Sequence, residues 1–191
     1  MWNKEYIFEK FEENKYLRDN IIDMMYKAVE YSNKVVYKQS ITNKDLEGMG
    51  TTLDVCLIYN SKAYIAHVGD SRVYRIRNEN IRKITKDHSY VQSLIEDGKI
   101  TKEEAYHHPK KNMLTKAIGC EKEVEADVYV KTFLKDDILI MTTDGLTNML
   151  RDNEIFEIVN KDIEKATQKL ISKANEKGGL DNITVIIISK T

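Results

Sequence analysis

Two apolar runs near the C-terminal end each stop at a carboxylate, and nothing else in the chain restricts its folding as strongly. Residues 138–146 read ILIMTTDGL, an apolar run that ends at Asp144-Gly145. Residues 178–189 read GGLDNITVIIIS, with Asp181-Asn182 directly before a second apolar run. Short β-branched runs of this kind read as buried strands. A carboxylate at the mouth of a buried strand is costly unless positive charge meets it. Two of them, at the ends of two strands, point to a shared, hard, oxygen-preferring cation such as Mg²⁺ or Mn²⁺. Asp-Gly and Asp-Asn are also ordinary turn dipeptides. On these strings alone both readings stand.

The chain has 191 residues, which reads as a single domain over 1–191 with room for a core. Its 30 basic and 31 acidic residues leave a formal charge of -1, so charge supplies no basis for a nucleic-acid or anionic-membrane partner. No apolar stretch is long enough to span a bilayer. The first residues, MWNKEYIFEKFEEN, lack the uninterrupted apolar core of a signal peptide, and a cytoplasmic location is expected. Cys56 and Cys120 sit in no metal or redox motif. Cys56 lies in an apolar run and is expected to be a small buried hydrophobe.

The first part, 1–47, reads as helical. Ile21, Met25, Ala28, Val29, Ser32 and Val36 recur at three- and four-residue steps. Residues 40–48 read as a loop. From Thr51 the period changes, and 53–59, 63–68 and 73–77 read as three strands of one antiparallel meander. Residues 89–97 and 101–107 read as two short helices, the second opened by a Thr101/Glu104 capping box. Pro109 follows that helix as a stop. Strands at 124–130 and 137–143 and helices at 152–160 and 162–177 come next, with Gly178-Gly179 as the last helix's cap. The strand at 183–189 is apolar enough to be central. Consecutive strands, not alternating with helices, favour an α+β antiparallel architecture.

In this order, seven strings resemble the metal-dependent type 2C (PPM) family of protein serine/threonine phosphatases, in its bacterial branch. They are GMGTTL (48–53), VGDSR (68–72), DHS (87–89), Gly98 to Glu104 with His108-Pro109, TKAIG (115–119), TTDGLTNM (142–149) and GGLDNITV (178–185). The resemblance implies a sandwich of two packed antiparallel β-sheets flanked by helices. It implies two or three Mn²⁺ or Mg²⁺ ions, with Asp144 and Asp181 matching ligands of the catalytic metal pair and Asp87 matching a ligand of a third metal. Residues 88–113 match a flap beside the cleft, with Tyr90, His108 and Asn112 as candidate substrate contacts. In the same family VGDSR is mainly a structural turn, so Asp70 is expected to bond locally. His88 is expected on the surface or packed in the flap, and zinc at His107-His108 has no partner at ligand spacing.

The family's Asp-Gly-Met-Gly-Gly-His string, its N-terminal strands and its phosphate-gripping Arg have no counterpart in this sequence. The glycines at Gly48 and Gly50 are preceded by Glu47 and followed by Thr51-Thr52, so they match the later string. No catalytic general acid or phosphate-binding side chain is therefore identified. The resemblance implies hydrolysis of phosphoserine and phosphothreonine on proteins phosphorylated by a bacterial serine/threonine kinase. Without the bridging carboxylate, fewer ions and weak or absent activity are expected, as is self-association through exposed sheet edges. The alternative is a non-catalytic pseudophosphatase that binds phosphoproteins or a regulatory partner.

Overall fold

The computed structural model describes residues 18–190; expectations for 1–17 lie outside the described residues. Helix α1 (Arg18–Thr42) buries Ile21, Met25 and Val29, the stripe expected from the spacing. It runs further than anticipated: a 3₁₀ turn (Lys44–Leu46), capped by the Asn43 side chain, follows at once, so 40–48 is only partly loop.

Among the described residues, seven strands form two antiparallel sheets. Strands β1 (Leu53–Tyr59), β2 (Lys62–Val68) and β5 (Asp127–Thr132) make a three-stranded sheet in the order β1-β2-β5. Strands β3 (Arg72–Arg77), β4 (Asn80–Lys83), β6 (Ile138–Thr142) and β7 (Val185–Ser189) make a four-stranded sheet in the order β4-β3-β6-β7. The expected three-strand meander is therefore incorrect. β1 and β2 are a hairpin turned at Asn60-Ser61, both with positive φ as a tight hairpin turn requires. Between β2 and β3 the chain then leaves for the other sheet through Gly69, whose φ is +116°. Glycine is required there twice over, because a Cβ would also stand 2.4 Å from Thr52 Cγ2.

Period-2 burial assigns each face. Tyr64, Ala66 and Val68 of β2 face α1, whereas Ala63 and Ile65 face the second sheet with Val73, Leu139 and Met141. Tyr74, Ile76 and Ile140 face outward onto helices α5 (Asp152–Lys161) and α6 (Ala166–Glu176) through Ile155, Val159, Ala166, Leu170 and Ala174. The result is helix, sheet, sheet, helix in four layers. Cys56 packs against the inter-sheet core, and burial pushes its thiol up to about 11.

Among the described residues strand β7 pairs only with β6 and so lies at the edge of its sheet, not at its centre. Its apolar sequence has a different cause. Val185 and Ile187 pack under the helices and Ile188 packs between the sheets, while Ile186 stays 49% exposed.

The two short helices form as expected. Helix α2 (Tyr90–Glu96) is capped by Ser89, and α3 (Lys102–His107) opens with the Thr101/Glu104 capping box and ends at His108, before Pro109.

Candidate metal centre

Sheet register alone brings four aspartates to one end of the four-stranded sheet. Arg72 of β3 lies opposite Thr142 of β6, and Thr142 lies opposite Val185 of β7. Asp70 precedes β3, Asp144 follows β6, and Asp181 precedes β7, so antiparallel pairing turns all three toward the same end. Asp87 arrives there too, because β4 pairs with β3 and ends four residues before it.

Asp144 opens the single helical turn α4 (Asp144–Thr147). The Asp-Gly sequence has a packing reason beyond its turn propensity. A Cβ on Gly145 would stand 2.3 Å from the Asn182 carbonyl oxygen, so only glycine lets the loop after β6 lie against the loop before β7. This contact brings Asp144 to Asp181. Burial raises the Asp144 carboxyl above its ordinary range, with the Asp181 charge adding to the rise. Asn148 Nδ2 donates to Asp144 Oδ2 at 3.1 Å and fixes its rotamer.

Asp70 belongs to this group, although its string reads as a turn. It lines the same cleft as Asp144. Burial, then the charges of Asp144 and Asp87, push its carboxyl up to about 6. The missed signal was positional: a carboxylate immediately before a strand counts as a site residue only once that strand is known to neighbour β6. The turn is clamped from below by His88. Gly69 N–H donates to His88 Nδ1 at 3.1 Å, and His88 N–H donates to the Gly69 carbonyl at 2.7 Å. His88 is thus buried, stacked against the buried His67 ring at 4.8 Å, and not on the surface. His67 in turn bonds Asp54 Oδ1 at 2.7 Å and the Lys86 carbonyl at 2.9 Å, a link that no local pattern signals.

Asp87 sits differently from the other three. Arg72 Nε and Nη2 both reach Asp87 Oδ2, at 2.9 and 2.7 Å, and Lys83 Nζ reaches Oδ1 at 2.9 Å. Burial opposes ionisation, but Arg72 and Lys83 outweigh it and hold the Asp87 carboxyl below its ordinary range. Both oxygens thereby accept hydrogen bonds from cationic side chains.

Asp70, Asp87 and Asp144 line a cleft of about 970 Å³ between the end of the sheet, α2, α3 and α5. Of the candidate substrate contacts, Asn112 lines it, while Tyr90 and His108 do not. Those two rings face each other at 6.0 Å, and His108 Nδ1 accepts from Lys110 N–H in the turn that ends α3. Tyr106 of the flap also lines the cleft. Its hydroxyl donates to the Asn148 carbonyl at 2.5 Å, and the Arg151 guanidinium stacks on its ring at 3.5 Å.

Half-buried Asp144, Asp70 and the nearby exposed Asp181 form an all-oxygen donor set of the kind hard divalent ions take. Their mutual repulsion is what a cation would relieve. Among the described residues, no three His, Cys, Asp or Glu side chains are closed up into a ready-made cage. The set fits a divalent ion in chemistry, with waters completing its shell as Mg²⁺ commonly requires.

A family profile for protein phosphatase 2C matches residues 5–103 and 106–183. A serine/threonine phosphatase (stp) of Listeria monocytogenes is 40% identical over 174 residues, covering 90% of this chain and 69% of the relative. The crystal structure of the Staphylococcus aureus serine/threonine phosphatase Stp1 superposes with a TM-score of 0.87 at 34% identity, covering 93% of this chain and 71% of that one. The catalytic domain of the phosphatase PstP, solved in complex with 2 manganese ions, superposes with a TM-score of 0.80 at 31% identity, covering 91% and 73%. The chain belongs to the protein phosphatase 2C family of serine/threonine protein phosphatases. Its fold is that family's pair of antiparallel sheets between helices. Among the described residues no helix is long and apolar enough to cross a membrane.

Proposed function

We propose that this chain hydrolyses phosphoserine and phosphothreonine on proteins, with Mn²⁺ or Mg²⁺ held by Asp144, Asp181 and Asp70. One observation carries the reading: Asp70 and Asp144 line the same cleft, where burial and neighbouring carboxylates (Asp144 and Asp87 for Asp70, Asp181 for Asp144) push both carboxyls up. That arrangement costs stability unless a cation or a proton occupies it. A divalent ion there supplies charge neutralisation and a water acidified toward neutral pH. The protein's part is orientation. Asn148 holds the Asp144 carboxylate, Gly145 lets the two loops meet, and His88 fixes the turn that carries Asp70. Asp87 holds Arg72 and Lys83 at the cleft wall and is not a metal ligand in this proposal. Asn112 and Tyr106, on the flap side, face an entering phosphoprotein.

The absence of a closed three-ligand cage among the described residues favours loose ion binding and slow turnover by this chain. The same observation supports a second reading, a phosphoprotein-binding relative that does not turn over. Both are tested by incubating the purified chain with a phosphothreonine peptide and Mn²⁺ while following phosphate release. Slow release abolished by Asp144→Asn supports the enzyme. Binding without release, persisting in chelator, supports the second reading and sinks the first.

A further inference from the structure

The β3–β4 hairpin carries an arrangement that the metal centre does not use. Arg75 and Arg82 are direct cross-strand partners, and Arg77 lies two residues along the same face from Arg75. Like charges directly opposite each other destabilise a hairpin. Arg77 is compensated: Asp137 accepts from its Nε at 2.6 Å and its Nη2 at 2.5 Å. Arg75 is not, since its guanidinium reaches only the Thr132 carbonyl, at 3.4 Å. Arg82 makes no ion pair or hydrogen bond with the described residues. Together with Asn78 and Asn80 these arginines are the whole lining of a cavity of about 280 Å³. Every one of those side chains can donate hydrogen bonds, and no carboxylate lines it. Burial lowers the Arg75 pKa, and the charges of Arg77 and Arg82 lower it further against an opposing contribution from Asp137.

Planar guanidinium groups facing one cavity match the oxygens of a phosphoryl group better than they match any neutral ligand. Arg82 also borders the metal-centre cleft, so the two sites are neighbours on one surface. We propose that the Arg75/Arg77/Arg82 cavity binds a second phosphoryl group, carried on the same phosphoprotein whose first phosphoryl group enters the cleft. The substrate half of this proposal rests on the phosphatase reading above; the anion site itself does not.

The test is calorimetric titration at low ionic strength, because such contacts are screened by salt, in chelator for inorganic phosphate and in Mn²⁺ for the peptides. The peptides share one sequence and carry one or two non-hydrolysable phosphonate analogues of phosphothreonine. The wild-type chain is expected to bind inorganic phosphate saturably, and the doubly substituted peptide about tenfold more tightly than the single one. Arg75→Gln combined with Arg82→Gln is expected to weaken phosphate binding by about tenfold and erase the difference between peptides. Thermal unfolding confirms that the double variant is folded, and Arg82→Gln alone, at an exposed position, serves if it is not. Absence of saturable phosphate binding, or binding unaltered by these substitutions, overturns the site. Equal affinity for the two peptides, with phosphate still bound, overturns the substrate assignment. Retained binding in a chain that hydrolyses nothing in Mn²⁺ overturns the phosphatase reading and upholds the anion site.

Discussion

Replacing Asp70 by asparagine should stabilise the metal-free protein, an unusual direction for a partly buried polar site. The Asp70 carboxyl is pushed from its ordinary value of 3.8 up to about 6 by burial and by Asp144 and Asp87. A shift of about two units, at ~1.4 kcal/mol each, sets a ceiling of ~3 kcal/mol on the cost of keeping it ionised. Partial solvent access and the loss of a local backbone hydrogen bond reduce this, and a net gain of ~1–2 kcal/mol is expected. For a domain of this size that raises the melting temperature by roughly 2–8 °C. The sign follows from linkage: the folded-state pKa is raised, so the stability Asp70 contributes is complete below about pH 4 and lost as pH climbs through about 6. Asp70→Asn should therefore match the wild type near pH 4.5 and exceed it at pH 7.5, with melting followed by circular dichroism in chelator. Adding Mn²⁺ should raise the wild-type melting point by mass action and leave the variant nearly unmoved. A variant less stable than wild type at pH 7.5 without metal, or a gap that does not change with pH, would refute the reasoning.

Asp87→Asn should act in the opposite direction. It leaves Arg72 and Lys83 without their shared carboxylate, and their side chains are 30% and 29% exposed. The loss should fall at or below the usual range for a broken buried pair, ~2–4 kcal/mol, read from the urea midpoint at constant slope. An unchanged midpoint would show that the ion pairs contribute nothing net. Gly145→Ala places a methyl group against the Asn182 backbone, which cannot rotate away as a side chain could. A cost of ~1–3 kcal/mol is expected, together with weaker Mn²⁺ stabilisation because Asp144 and Asp181 are forced apart. Full metal response in that variant would separate the close approach from the metal centre.

Local chemistry made much of this protein legible from its sequence. Helix α1 follows its apolar stripe, and the capping box at Thr101 and Glu104 marks the start of α3 because it is made within one turn. The hairpin turn at Asn60-Ser61 is likewise a property of neighbouring residues. Asp144 and Asp181 were visible as carboxylates at the ends of apolar runs, since the cost of such a group depends mainly on the strand beside it. Pairing between distant strands carried no such signal. The turn at Gly69 sends β3 into the other sheet, and among the described residues the apolar β7 lies at the sheet edge with Val185 and Ile187 packed under the helices.

What only the tertiary structure decided is which charged groups meet. Asp70 reads as a turn residue until β3 is seen beside β6, and only the fold shows Arg72 and Lys83 meeting Asp87. The three arginines of the β3–β4 hairpin face one cavity only because the strand register aligns Arg75 with Arg82. By itself the sequence determined the family, the alternation of faces and the two strand-end carboxylates. The partners of each charge were decided by sheet register, because electrostatic energy depends on distance in space while sequence patterning reports only distance along the chain.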